Sequence, residues 1–152
     1  MDTEPEYGDA GTGGDRLRPF FYSLEQIPGF TAEEMLSDLP PEEQAFRFEL
    51  FGRDLVTKTI VRSPQLCVFH ESAPPGAKVK PHRHGTHQIT FVLKGELVYG
   101  GQRVGAGMGY FTPDTIYSWS VGTEGAEWLE IHSGVPDLFT ERREPSETKS
   151  KL

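Results

Sequence analysis

Short apolar segments bounded by turn residues follow one another from about residue 45 to residue 133. They are rich in Val, Ile, Phe, Thr and Tyr, and they include AFRFELF, LVTKTIV, QLCVFHE, ELVY and IYSWSV. The pair Gly100-Gly101, between ELVY and QRV, predicts a tight hairpin, because glycine tolerates the positive φ that such a turn needs. Short strands with turns about every eight to twelve residues predict an all-β sandwich or barrel.

A different pattern precedes these strands. Thr31 followed by AEEML predicts a short N-capped helix, which Pro40 and Pro41 end. The chain of 152 residues suits one folded domain. The predicted organisation is a flexible acidic tail at 1–16, a helical or extended segment at 17–44, the β domain at 45–135 and a polar C-terminal tail at 136–152.

The formal net charge of −8 comes without any concentrated patch of Lys or Arg, so we expect neither a nucleic-acid nor an anionic-membrane partner. The one cysteine, Cys67, excludes an internal disulfide framework and a cysteine-based zinc site, and its apolar surroundings predict a buried hydrophobe. No segment resembles a membrane span or a signal peptide, so we expect a cytoplasmic protein. The C-terminal Ser150-Lys151-Leu152 leaves a peroxisomal location open if the host is eukaryotic.

Three of the five histidines lie in one stretch, PHRHGTHQITFVLKGE, at residues 81–96. Side chains alternate between the two faces of a strand, so His82, His84 and Gln88 share one face and His87 turns away from it. Two imidazoles two residues apart can approach within about 7 Å on one side of a strand and bind one metal ion.

The spacing around these histidines is more specific than the histidines alone. Gly76, five residues, His82-Arg83-His84, three residues, Gln88, six residues and Gly95 resemble the first motif of the cupin superfamily, with Gln88 where glutamate is usual. The segment from Gly107 to Val121 resembles the second motif, but Ser118 stands where that motif usually has a histidine. The resemblance, over about 45–133, implies an all-β cupin jelly-roll barrel with a short N-terminal helix outside it. It also implies a divalent Fe, Mn, Ni or Zn ion on His82, His84 and Gln88.

Several residues could complete this site. In WLEIH, alternation places Trp128, Glu130 and His132 on one face, so His132 is the candidate for a further metal ligand; a hydrogen-bonded or exposed histidine at the end of a strand stays open. Either His70 or Glu71 faces inward. Tyr117, Ser118 and Glu130 are the candidates for catalytic proton transfer.

The resemblance implies a small metal-dependent enzyme of dioxygenase, isomerase or lyase type, acting on a small-molecule ligand with carbonyl, enol or carboxylate oxygens. The alternative is a non-catalytic cupin, a small-ligand-binding, sensor or accessory module without metal, which accounts for the missing histidine. Ile89, Phe91 and Leu93 are apolar on the opposite face of the motif strand, so N-terminal strands or a second subunit must cover them. We expect a homodimer.

Overall fold

The structure, a computed structural model, describes residues 18–137. The predicted acidic tail at 1–16 lies outside the described residues, as does the predicted C-terminal tail at 136–152 except for its first two residues. The elements in chain order are β1 (Phe30–Thr31), α1 (Ala32–Leu36), α2 (Pro41–Phe51), β2 (Val56–Arg62), β3 (Cys67–Ala73), β4 (Lys78–His82), β5 (Gln88–Tyr99), β6 (Gln102–Gly105), β7 (Gly109–Thr112) and β8 (Tyr117–His132).

Two long strands, β5 and β8, hold the antiparallel fold together. The first half of β5 pairs with the second half of β8, in a layer whose strand order is β1-β2-β3-β8-β5-β7. The second half of β5 pairs with the first half of β8, in a layer that also contains β4 and β6. Each long strand therefore passes from one layer to the other, as expected of a jelly roll.

The bend in β5 lies where its pairing with β8 shifts register, between Gly95 and Leu97. Gly95 has a φ of +69°, and a Cβ atom there would lie 1.9 Å from the carbonyl oxygen of Gly125 on β8. Only glycine allows this close approach of the two backbones. The Gly95 and Gly125 pair thus fixes where the strands turn between layers.

The core fills the space between the layers. Its fully buried side chains include Val92 and Leu97 of β5 and Trp128 of β8, and the Trp119 and Trp128 rings meet edge to face with centroids 4.9 Å apart. The Gly100-Gly101 hairpin is confirmed: Tyr99 pairs with Gln102, and both glycines have positive φ. Cys67 is fully buried, which confirms its predicted place, and burial raises the pKa of its thiol.

The predicted helix cap at Thr31 is present. The Thr31 hydroxyl accepts a hydrogen bond from the backbone N–H of Glu34, and the Glu34 carboxylate accepts one from the backbone N–H of Thr31. This reciprocal capping box satisfies two backbone donors at the start of α1.

AFRFELF was expected to be a strand, and this expectation is wrong: the segment belongs to helix α2. Pro41 occupies the first turn, where its missing N–H costs nothing, and Glu42 and Glu43 complement the helix dipole there. Pro40 and Pro41 therefore begin α2, whereas α1 already ends at Leu36, and α2 runs across the predicted domain boundary at residue 45. No helix within residues 18–137 has the length and apolarity to cross a bilayer.

The outer face of the first layer carries exposed apolar side chains. Ile89 lies opposite Phe111 and Ile131, and Phe91 lies opposite Leu129. Ile89, Phe91 and Phe111 are 51%, 41% and 61% exposed, so the described N-terminal residues do not cover this face.

Candidate metal and ligand site

The interior between the layers contains a cavity of about 70 Å³ into which polar side chains from several elements project. Its polar lining residues are Arg47, Thr57, Glu71, His82, His84, Tyr117, Glu130 and His132. A cavity of this size holds a few water molecules or a ligand of a few non-hydrogen atoms.

The two histidines of the first motif are held by backbone carbonyl groups. Nδ1 of His82 lies 2.8 Å from the carbonyl oxygen of Lys80, and Nδ1 of His84 lies 2.7 Å from that of Asp137. A carbonyl oxygen can only accept a hydrogen bond, so each Nδ1 carries the proton and each neutral imidazole keeps its lone pair on Nε2. The ring centroids of His82 and His84 are 4.9 Å apart.

Burial keeps these imidazoles neutral. Burial lowers the pKa of His82 below its ordinary value, against the opposing effect of the hydrogen bond to Lys80. Burial, together with the neighbouring rings of His82 and His132, lowers the pKa of His84 to about 3. Both rings are therefore lone-pair donors at neutral pH.

Gln88 is buried at the start of β5, and both ends of its amide are engaged. Its Nε2 donates to the hydroxyl of Thr90 at 2.9 Å, and its Oε1 accepts from the hydroxyl of Tyr117 at 3.0 Å. Burial and the charge of Glu130 raise the pKa of Tyr117 well above its ordinary value, so its hydroxyl keeps its proton. The carbonyl oxygen expected to bind a metal thus already accepts a hydrogen bond.

His132 lies inside the cavity wall and is 1% exposed, so the alternative of an exposed histidine is wrong. Its ring centroid is 5.2 Å from that of His84. Its Nδ1 lies 2.9 Å from the Thr86 hydroxyl, and its Nε2 lies 3.3 Å from Oε2 of Glu130. His132 is therefore close to His84, as a metal ligand would be, and is also hydrogen-bonded, as the alternative predicted.

Glu130 receives two hydrogen-bond donors. Trp128 Nε1 donates to Oε1 at 3.1 Å, and His132 is the second donor. Burial alone would raise the pKa of Glu130, but these hydrogen bonds and the nearby histidine rings outweigh burial and hold the pKa below its ordinary value. Glu130 is therefore an ionised carboxylate within the cavity wall.

Ser118, a predicted candidate for catalytic proton transfer, does not face the cavity. It is exposed, because alternation along β8 turns Tyr117 and Trp119 inward and Ser118 outward. Tyr117, which pairs with His82 across β4 and β8, takes the inward position near the motif histidines. The prediction that His87 turns away is confirmed, since His87 is exposed and packs near Phe111.

Sequence reasoning left open which of His70 and Glu71 faces inward; Glu71 lines the cavity. Oε2 of Glu71 accepts a hydrogen bond from the Thr57 hydroxyl at 2.7 Å. Burial, with the charge of Glu130 nearby, raises the pKa of Glu71 well above its ordinary value. His70 is buried on the other face of β3, where its Nε2 lies 3.5 Å from Glu127.

The N-terminal helices close one end of the cavity, which sequence reasoning missed. Phe51, the last residue of α2, meets the His82 ring edge to face at 5.2 Å. Arg47, one helical turn earlier, lines the same cavity and is 3% exposed. The start signal at Pro41 and the acidic first turn would have identified this helix, but nothing local shows which of its sides meets the barrel.

Solved structures of other proteins share this fold. A proposed acetylacetone dioxygenase from Methylibium petroleiphilum PM1 superposes with a TM-score of 0.64 at 12% identity, covering 89% of this chain and 90% of that one. An RmlC-like cupin from Ralstonia eutropha JMP134 gives 0.59 at 13% identity, over 84% of this chain and 76% of that one. One from Shewanella frigidimarina NCIMB 400 gives 0.55 at 19% identity, over 75% of this chain and 89% of that one. The chain has a cupin fold.

The predicted cupin jelly roll is thereby confirmed. No family model and no curated protein matches the sequence. Because the structural neighbours are less than 25% identical to this chain, they establish its architecture and leave its chemistry to its own residues.

Whether a metal ion fits this site depends on the side chains that line it. Among residues 18–137, no three His, Cys, Asp or Glu side chains are arranged to hold one ion. His82 and His84 fit, because each has its Nδ1 tied to a carbonyl and its Nε2 unprotonated. For His132 to be a third ligand its Nε2 has to leave Glu130, whereas the Gln88 carbonyl oxygen accepts one hydrogen bond from Tyr117 and keeps a second lone pair.

Proposed function

We propose that this cupin binds a divalent metal ion through His82 and His84 and acts on a small oxygen-bearing metabolite. The observation that carries the proposal is the pair of hydrogen bonds from Nδ1 of both histidines to backbone carbonyls. Such bonds fix the tautomer and the ring orientation that a metal-ligating histidine needs. Fe, Mn, Ni and Zn all accept imidazole ligands.

The third ligand in this proposal is His132 or Gln88. His132 would bind through Nε2 once that nitrogen turned away from Glu130, while the Thr86 hydroxyl at Nδ1 would hold the ring. Gln88 would supply the second lone pair of its neutral carbonyl oxygen, the first being taken by the Tyr117 hydroxyl. With either choice the protein ligands are uncharged, so the site favours an anionic ligand.

When bound, the ion supplies Lewis-acid polarisation of a carbonyl, enol or carboxylate oxygen or, if it is iron, electron transfer to dioxygen. The residues of the chain supply the proton chemistry. Glu130, held ionised, can accept a proton from the ligand, and Tyr117, held protonated, can donate a hydrogen bond to the ligand when its hydroxyl turns from Gln88. These roles fit a dioxygenase, an isomerase or a lyase.

One observation favours the second candidate, a metal-free cupin that binds a small ligand. The Gln88 carbonyl oxygen accepts from Tyr117, and among the described residues no three His, Cys, Asp or Glu side chains are grouped to hold an ion. In that case His82 and His84 would be neutral hydrogen-bond acceptors in the cavity wall.

Elemental analysis of the tag-free protein separates the two candidates. The metal proposal predicts about one ion per chain in the wild type, its loss in His82→Ala/His84→Ala, and its retention in His87→Ala, which removes an exposed histidine from the same segment. A wild type without metal that still binds a small ligand would establish the second candidate.

We also propose that the protein is a homodimer joined through the exposed apolar face around Ile89, Phe91 and Phe111. The support is the position of these exposed side chains on the same face of the neighbouring strands β5 and β7. Contiguous apolar patches of this kind mark interaction surfaces, and two copies of one patch give a closed symmetric contact.

A further inference from the structure

Arg47 places a buried cation in the wall of the cavity. The residue is 3% exposed, and the cavity wall beside it includes apolar side chains such as Phe51 and Leu55. Burying a guanidinium group is costly unless its charge is balanced and its N–H groups find acceptors. The hydrogen bonds that Arg47 makes, and those that it lacks, therefore indicate which kind of ligand the cavity binds.

The charge of Arg47 is balanced, but its hydrogen bonding is incomplete. Nε of Arg47 donates to Oε1 of Glu43 at 3.1 Å, one turn away on the same helix. A guanidinium has five N–H donors, and the four on its two terminal nitrogens make no hydrogen bond to another residue of 18–137. The planar pair of terminal nitrogens matches a carboxylate, which it binds bidentately.

Arg47 lies close to the histidine end of the same cavity. Phe51, four residues further along α2, contacts the His82 ring. Four residues advance a helix by about 6 Å, so the Arg47 position is about one turn from the residue that touches the imidazoles. A ligand of a few atoms could reach both ends of a cavity of about 70 Å³.

We propose that Arg47 is the anion-binding residue of this pocket and that the ligand is a small carboxylate with a second oxygen, its carboxylate on the Arg47 terminal nitrogens and its other oxygen at the histidine end. The second contact rests on the function proposed above, whereas the carboxylate contact does not. The proposal narrows the oxygen-bearing metabolites to 2-oxo and related short-chain acids.

Isothermal titration calorimetry of the tag-free full-length protein with pyruvate and with pyruvamide tests this proposal. The two probes have the same size and shape, and only pyruvate carries a charge. We expect pyruvate to bind at least about tenfold more tightly, as one charge-assisted bidentate contact allows. In Glu43→Gln/Arg47→Met, which removes both members of the buried pair so that neither is left alone, the ratio should fall to near one.

Two further variants keep the test decisive. Arg103→Met, which removes an exposed arginine on β6, should leave the preference unchanged. Arg47→Lys retains the charge without the planar fork and should give an intermediate ratio; it carries the test if the double variant does not unfold cooperatively. Equal affinities in the wild type, binding of neither probe, or a preference that survives in both Arg47 variants would overturn the proposal.

The metal content of the same samples separates this proposal from the function on which part of it rests. A metal-free protein that prefers pyruvate would sustain the Arg47 contact and contradict the metal site. A metal-loaded protein that does not prefer pyruvate would support the metal site and contradict the Arg47 contact.

Discussion

Two hydrogen bonds to backbone carbonyls determine which nitrogen of His82 and His84 is available to a ligand. At the same scale, the Tyr117 hydroxyl occupies one of the two acceptor positions of the Gln88 carbonyl oxygen. The site is thus controlled by which acceptor each polar hydrogen has, and single-atom substitutions test it.

Tyr117→Phe removes one hydroxyl and leaves the buried Oε1 of Gln88 without its donor. We expect the free energy of unfolding to fall by about 1–2 kcal/mol, measured by urea denaturation. Tyr22→Phe, at an exposed tyrosine, should change it by less than about 0.5 kcal/mol. Equal effects of the two substitutions would contradict the role given to the Tyr117 hydroxyl.

The raised pKa of Glu71 predicts how the free energy of unfolding changes with pH. Its folded-state pKa is raised well above the ordinary value of 4.5, so above that pH the folded state retains a proton that the unfolded state has lost. The free energy of unfolding therefore falls as pH rises through this window. Glu71→Gln cannot titrate, so its stability relative to the wild type should increase by at least about 1 kcal/mol from pH 5 to pH 8. Urea denaturation at both pH values measures this, and a difference that does not change with pH would refute it.

At the scale of elements, the bend in β5, which begins at Gln88 of the first motif, lets this one strand belong to both layers of the barrel. Gly95→Ala would put its Cβ atom against the backbone of Gly125 at a positive φ. We expect a loss of at least about 3 kcal/mol, or failure to fold. Gly105→Ala, at a glycine with open space and ordinary φ, is the matched control and should cost less than about 1 kcal/mol. Thermal unfolding that ranks the two variants equally would rule out this account of the bend.

The elements also show how far the sequence could predict the site. The prediction correctly placed His82 and Gln88 inside and His87 outside, although it assumed one strand, whereas His82 ends β4 and Gln88 begins β5. In AFRFELF, apolar residues at every second position imitate a strand, yet the proline and acidic residues before it start a helix. Arg47 was missed with that helix, since its burial depends on a contact between distant segments.

Ser118 illustrates a second limit. Counting from Pro113 in the second motif selected Ser118, whereas the pairing of Tyr117 with His82 decides which residue of β8 faces inward. Register between distant strands is fixed by the whole sheet, so a one-residue difference exchanges the inner and outer faces. For the same reason, the sequence could not decide whether His132 faces the cavity or the solvent.

At the scale of the whole molecule, the apolar face around Phe111 predicts a dimer. Phe111→Lys should shift the protein from dimer to monomer in size-exclusion chromatography with light scattering, because an unpaired lysine would be buried at the contact. Thr123→Lys, which adds the same charge at an exposed polar position, should leave the dimer intact. A wild type that is monomeric at micromolar concentration would contradict the proposal. The cytoplasmic location and the absence of a nucleic-acid partner stay predictions from composition.

The proposed function depends on an ion at Nε2 of His82 and His84. The most direct measurement is anomalous X-ray diffraction at the absorption edge of the metal found by elemental analysis, on crystals of the tag-free protein. We predict one anomalous peak in the cavity within about 2.0–2.3 Å of both Nε2 atoms. A cavity without such a peak, or an ion bound elsewhere while both Nε2 atoms contact only ligand or water, would contradict the account.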